Sequence, residues 1–260
     1  MKSLWNGYIA LGQLGIPVRL YNATRSIAPE LHLVHQTDGS PVERVLKCKH
    51  EDREISHSET IRAAEVGPGS YVTLTKQELE RAAPHSAKVI HITQFAHADA
   101  IEPIHYDKPY YMVPAKGGER AYALLRDVLM ETGTLAVAQF VMRGNEHVAA
   151  VTNHRDMLVL HQLRYADEIV PRGQLKTRSL PKPSPTERAA LRQVVERFSS
   201  SFFIEDYHDE QAETIHELIE RKSQGLPPPR RERESAQATS EEDIIPALQH
   251  TLREPAGIKA

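Results

Sequence analysis

The stretch IHYDKPYYMVPAKGGERAYALLRDVL, residues 104–129, runs from an aromatic, strand-like segment through Lys116, Gly117 and Gly118 into a helix. The segment bears directly on the fold class, because a lysine and glycines at a helix start are the parts of a phosphate-binding loop. A Walker-type loop needs Gly, four residues, then Gly-Lys-Ser/Thr, so that the lysine reaches phosphates already held by the backbone amides before it. Here Lys116 precedes the glycines, no hydroxyl residue follows, and Glu119 comes next with a charge that repels phosphate. The glycine pair is a turn feeding a helix. In that helix Ala121, Leu124, Leu125, Val128 and Leu129 fall at i, i+3, i+4, i+7 and i+8, one apolar stripe ending near Gly133.

Working outward, the chain reads mainly as short strands. Ile16, Val18 and Leu20 alternate with Pro17, Arg19 and Tyr21, the period-2 pattern of a strand with one buried face. Residues 71–75, 89–95, 135–142, 147–151 and 157–163 are rich in β-branched or aromatic side chains and separated by Gly, Asn, Asp or Pro. Strands in this number predict a barrel or a sandwich. Regular strand-helix alternation with a Gly-rich turn is missing, which excludes a doubly wound nucleotide-binding sheet.

Further helices punctuate the β core. Thr75 with Glu78, and Ser184 with Glu187, form capping-box pairs, the second with Pro185 in the favoured first helical position. Leu191, Val194, Val195 and Phe198 predict one helical stripe, and Ala212, Ile215, Leu218, Ile219 and Lys222 another. The cluster Tyr207-His208-Asp209-Glu210 sits at a helix start, where acids favour the dipole, so capping explains it without chemistry. Past Ser223 the composition turns to Pro, Ser, Arg and Glu, which cannot build a core, and residues 223–260 read as a flexible tail. Residues 244–252 predict a short helix with apolar Ile245, Leu248 and Leu252, its start delayed by Pro246.

A chain of 260 residues, 40% of them hydrophobic, can bury a substantial core. A single cysteine, Cys48, and a start without a basic segment, apolar run and cleavage site predict a cytoplasmic protein. The longest apolar stretches fall far short of the roughly 20 residues that cross a bilayer, so no membrane partner is expected. The net charge of −3 hides an asymmetry. Between residues 171 and 192 lie Arg172, Lys176, Arg178, Lys182, Arg188 and Arg192 against Glu187 alone, whereas residues 205–220 hold seven acids and no Lys or Arg.

Fourteen histidines, with His32 and His35 and with Cys48 beside His50 and His57, invite a metal hypothesis. A structural zinc site wants four Cys or His ligands in paired spacing and a catalytic one three, and neither pattern is complete, so no metal and no other cofactor is assigned. No G-x-S-x-G or H-E-x-x-H appears, and no catalytic residue is assigned. What remains is a distribution of bases: Arg19 and Arg25 near the first strand, then Arg44, Lys47, Lys49 and Arg53 in a long polar stretch with acids interleaved. Polar stretches longer than about 12 to 15 residues tend to be functional.

The opening WNGYIALGQLGIPVRLYNAT, residues 5–24, resembles the start of the prokaryotic Ku family, with its Trp-x-Gly strand, Gly-Leu turn and Pro-Val-x-Leu-Tyr-x-Ala-Thr. The likeness continues in family order through IEPIHYDKPYYMVP (101–114), AYALLRDVLMETG (121–133), MLVLHQLRYADEI (157–169) and FIEDYHDEQAETIHELIERK (203–222). The resemblance implies a mixed β and α fold: a β-barrel core over residues 1–180, an extended arm at about residues 24–73 that bridges a ring, and a helical C-terminal region over residues 181–222. It implies a homodimer threaded by double-stranded DNA ends, with no enzymatic activity, that recruits an ATP-dependent DNA ligase for nonhomologous end joining at the bacterial nucleoid.

A ring that accepts any end must read the backbone, since base contacts select sequence. The expected backbone contacts are Arg19, Arg25, Arg44, Lys47, Lys49 and Arg53, with Arg143 in the MRGN turn. Only 6% of residues are aromatic, which fits duplex rather than a single-strand stacking platform. The chain departs from the family in two places. Residues 223–260 hold five bases against six acids where many relatives are lysine-rich, and Cys48 stands alone where some carry a Cys pair. Two other readings stay open at this point: an interaction scaffold with the same fold and no DNA affinity, and a His-based metal-dependent hydrolase.

Overall fold

In the computed structural model, which describes residues 1–82, 88–176, 179–228 and 243–253, alternation along the first two strands sets the barrel's inside. In β1 (Trp5–Leu11) Trp5 and Ile9 are buried while Asn6 and Tyr8 are exposed. In β2 (Leu14–Asn22) Ile16, Val18 and Leu20 are buried and Arg19 faces out. The two pair antiparallel, Asn6 opposite Arg19 and Tyr8 opposite Pro17.

Five more strands complete the wall: β7 (Val89–His97), β8 (Tyr106–Pro114), β9 (Thr134–Met142), β10 (Asn145–His154) and β11 (Met157–Leu163). They close a barrel in the order β1-β2-β8-β11-β10-β9-β7. Every seam is antiparallel except the closing one, where β1 meets β7 in parallel over Tyr8–Ala10 and Val89–His91. Of the two β architectures open from sequence, the barrel is the one formed, and it leaves none of the seven strands with an unpaired edge.

Inside, Ile9, Ile16, Leu20, Ile90, Met112, Leu158 and Leu160 are fully buried and Phe140 nearly so, in one cluster. Each such side chain is worth about 1.5–3 kcal/mol of transfer free energy. Helix α2 (Glu119–Thr132) adds Tyr122, Leu125 and Leu129 to the same cluster with Ala121 packed against it, whereas Leu124 and Val128 of the expected stripe stay exposed, so the buried face is turned toward Tyr122. The Tyr122 hydroxyl donates to the Met112 carbonyl at 2.7 Å and accepts from the Leu158 amide at 2.8 Å, tying β8 to β11 beneath the helix. Burial raises the Tyr122 pKa, which keeps the donating proton in place. Gly118 makes this packing possible, because a Cβ there would sit 2.8 Å from Pro17. Of the two glycines of the opening stretch, Gly118 thus belongs to the core, while Gly117 is exposed and turns the chain at φ 88°.

A smaller cluster of Leu135, Ala150 and Leu163 lies on alternate positions of the same strands, covered by Ile101 and Tyr106. Arg164 fastens that cover, donating to the carbonyls of Tyr106 and Ile104 and pairing with Asp107 at 2.7 Å.

Between β2 and β7 the chain makes two separate two-stranded sheets, β3 (Leu46–Lys47) with β4 (Glu54–Ile55) and β5 (Arg62–Gly67) with β6 (Ser70–Leu74), followed by α1 (Lys76–Ala82). The strand expected at residues 71–75 is therefore β6, outside the barrel wall. The Thr75 and Glu78 box caps α1 as expected, Glu78 accepting from the Thr75 amide at 2.8 Å. Among the described residues none between Leu20 and Ile90 is buried.

The chain divides into two units, Met1–Ser26 with His32–Gln174, and Ile27–Leu31 with Leu175–Ala260. The second contains α3 (Pro185–Phe198), α4 (Glu210–Ser223) and α5 (Ile244–Thr251). Ser184 caps α3 with Glu187 as expected, and the Asp209 carboxylate caps α4 by accepting from the Ala212 amide at 2.9 Å. The expected stripes are only partly used. Val194 is buried in α3 while Leu191 and Val195 stay half exposed, and Ala212 is the buried residue of α4. Helix α5 begins ahead of Pro246, since the first-turn N–H groups have no intrahelical partner for proline to remove. It packs on α3. Other parts of the expected flexible tail, residues 229–242 and 254–260, lie outside the described residues, as does Arg178. Among the described residues no helix is long and apolar enough to cross a membrane.

Candidate nucleic-acid interface

The period-2 pattern that sends Ile16, Val18 and Leu20 inward sends Arg19 outward, next to Asn6 of β1. There Arg19 lines an open concavity of about 450 Å³ together with Lys88, Ser3, Asn6 and Tyr8. Lys88 is delivered by the closing seam: its carbonyl accepts from the Tyr8 amide at 2.9 Å just before β7 begins. Gly7 permits this approach, because a Cβ on it would lie 2.1 Å from the Lys88 carbonyl oxygen and 2.3 Å from the Trp5 ring.

Among the described residues no carboxylate lines the concavity. Among the described residues neither Arg19 nor Lys88 forms an ion pair. Two free cations flanked by amide and hydroxyl groups are the donor set that binds phosphate oxygens, and the shallow wall offers no hydrophobic slot for a base. Lys88, Ser3, Asn6 and Tyr8 were missed by sequence reasoning. The alternation of β1 carried a signal for Asn6 and Tyr8. Nothing local marks Lys88, which reaches the site only through barrel closure.

The residues expected in the arm are differently placed. Lys47, Cys48, Lys49 and Arg53 share the β3–β4 hairpin, closed by Cys48 and Arg53 backbone pairing with Asp52 in the left-handed region at φ 55°. Lys47 pairs with Asp52 at 2.6 Å, and Arg53 with Glu51 at 2.5 Å and Glu59 at 2.9 Å. The Ser56 backbone amide, and then Arg53, hold the Glu59 carboxyl below its usual range, so this partner stays charged. Both bases are thereby partly neutralised by their own hairpin. Arg25, Arg44 and Lys49 are exposed and, among the described residues, form no ion pair.

Arg143 occupies the two-residue turn between β9 and β10, with φ 53° followed by Gly144 at 83°. Such primed turns favour Asn or Gly, and a non-glycine residue there stores strain. Arg155, in the turn between β10 and β11, has the same conformation at φ 56°, so the strain does not single out Arg143. Among the described residues no group of three or more His, Cys, Asp or Glu is placed to hold a metal ion.

The fold and the site together define a closed seven-strand β-barrel with one helix packed on its core cluster and a basic concavity on its wall in which, among the described residues, no carboxylate stands. The comparisons give that architecture a family. The family model described as the Ku70/Ku80 beta-barrel domain matches residues 10–191. The chain is 31% identical over 255 residues to non-homologous end joining protein Ku 1 of Geotalea uraniireducens (strain Rf4), covering 98% of this chain and 97% of that protein. It is 33% identical over 268 residues to non-homologous end joining protein Ku of Opitutus terrae, covering 100% of this chain and 94% of that one. The counterpart in Anaeromyxobacter sp. (strain K) is 32% identical over 249 residues, 95% of this chain and 84% of that protein. The chain belongs to the Ku family.

Proposed function

We propose that this chain acts, without enzymatic activity of its own, as a homodimeric clamp on double-stranded DNA ends in nonhomologous end joining. The observation that carries the DNA reading is the pairing of unneutralised Arg19 and Lys88 in a concavity free, among the described residues, of carboxylates. Such a surface contacts the phosphate backbone and reads no sequence, as a protein that must accept any break requires. The similar proteins named for non-homologous end joining support the same reading.

The arm supports the homodimer. Ile27, Leu31, Leu33, Val34, Val42, Val45, Leu46, Ile61, Val66, Tyr71 and Val72 are all exposed, Leu31 at 74% and Leu33 at 68%. A segment that carries this much apolar surface and, among the described residues, fully buries none of it suits completion by another chain. A second copy bringing the same segment closes a ring, and a closed ring admits duplex only through a free end. Arg25, Arg44, Lys49 and Arg143 then add to the lining, with Lys47 and Arg53 contributing once their carboxylate partners yield to phosphate. Recruitment of an ATP-dependent DNA ligase completes the proposal, at the bacterial nucleoid.

Replacing Arg19 and Lys88 by Gln together tests the reading by gel shift on several unrelated duplexes. Loss of two phosphate contacts per chain reduces the magnitude of the slope of log K against log salt by about 1.8 per chain, or about 3.6 for the homodimer. Affinity should fall for every sequence alike. An unchanged slope, or a loss confined to one sequence, contradicts backbone readout at this concavity.

A further inference from the structure

The basic run of residues 171–192 is absorbed by neither the barrel nor the arm. In the structure three of its cations, Lys182, Arg188 and Arg192, line one open concavity of about 420 Å³ at the start of α3. Arg188 and Arg192 stand one turn apart on α3, about 6 Å along its axis. Lys182 is brought beside them by a chain that Pro181, Pro183 and Pro185 stiffen. The one acid of the run, Glu187, lies on a different side of the helix and is used up in the cap, its carboxylate accepting from the Ser184 amide at 2.6 Å. Among the described residues none of the three cations has an ion-pair partner, although α4 carries an acidic face in the same unit.

We propose that this patch is a second contact for the phosphate backbone of duplex DNA, separate from the Arg19 and Lys88 concavity. The proposal rests on the DNA-binding reading above. A protein partner fits less well. Docking faces are built around a buried apolar or aromatic centre, and the lining here beyond the three cations is Pro183, Pro185 and Ala189. Exposed Leu191 and Val195 lie on the neighbouring stripe of α3, outside the concavity. Three unpaired positive charges on a stiffened frame suit a polyanion whose charges repeat at short, regular intervals.

The test uses the full chain and a long linear duplex. It compares the unaltered protein with the triple variant Lys182→Gln, Arg188→Gln, Arg192→Gln. Removing three phosphate contacts per chain reduces the magnitude of the salt slope by about 2.7, which between about 50 and 200 mM salt makes the fall in affinity roughly 40-fold smaller per chain. Arg188→Lys with Arg192→Lys, which keeps both charges, should restore most of the slope, and unchanged circular dichroism separates lost contact from misfolding. A triple variant with an unaltered slope overturns the proposal while leaving the end-binding reading intact. The same is true of one that keeps its DNA slope but loses capture of the end-joining ligase, since the patch would then dock protein. Failure of the unaltered protein to bind duplex at all overturns both.

Discussion

Gly7→Ala probes the point where fold and site meet. The added methyl would lie 2.1 Å from the Lys88 carbonyl oxygen, 2.8 Å from its carbon and 2.3 Å from the Trp5 ring. Two of these are backbone atoms in the parallel seam that closes the barrel, so no flexible chain end can swing aside. Trp5 is itself anchored, its indole N–H donating to the Val141 carbonyl at 3.0 Å. Overpacking of this kind costs about 1–3 kcal/mol, or roughly 2–12 °C of melting temperature for a chain of this size. Gly15→Ala on the adjoining strand is the matched control, because a Cβ there meets nothing within 4 Å. Trp5 is the only tryptophan, so urea unfolding followed by its fluorescence reports on the seam itself. The expected result is a lower midpoint for Gly7→Ala than for Gly15→Ala, with weaker DNA binding because Lys88 is displaced. Equal midpoints would refute the argument that the Trp-x-Gly pattern exists to let β7 close on β1.

Asp52→Asn should strengthen duplex binding modestly and for all sequences. It frees Lys47 from its 2.6 Å partner and removes one negative charge per chain, and a gel shift that shows weaker binding would contradict the assignment of Lys47 to the interface. His161, half-buried against the edge of the Tyr106 ring, has its pKa lowered by burial and then by nearby His154. The unfolded chain therefore takes up this proton more readily than the folded one, and stability is lost as pH falls through about 6.5, the ordinary histidine value. Denaturant midpoints measured from pH 7.5 to 5 (roughly the range where an unperturbed histidine changes charge) should fall less steeply for His161→Gln, and an identical fall in the variant would remove His161 from the account.

The barrel was legible where burial is one-sided. Met157–Leu163 was read to the residue, and Ile16, Val18 and Leu20 face inward as their alternation requires. Capping boxes at Thr75 and Ser184 were legible because both partners lie within one turn. What escaped is non-local. The strand at Ser70–Leu74 carries the composition of a core strand, and its place in a separate hairpin depends on pairing with Arg62–Gly67. Lys88 becomes a site residue only because β1 and β7 close the barrel, across roughly 80 residues of chain. The partial neutralisation of Lys47 and Arg53 depends on hairpin register, which charge counting along the sequence does not resolve. The α3 stripe was over-read, since periodicity gives the face of a helix but not how much of it the neighbours cover.

The most direct measurement is competition between a linear duplex and a covalently closed circle of the same length and sequence for the purified protein. A ring completed by two copies of the arm should hold the linear form, with the closed circle competing poorly. Equal binding of the circle would show that the basic surfaces grip duplex from the side, and the clamp would have to be abandoned.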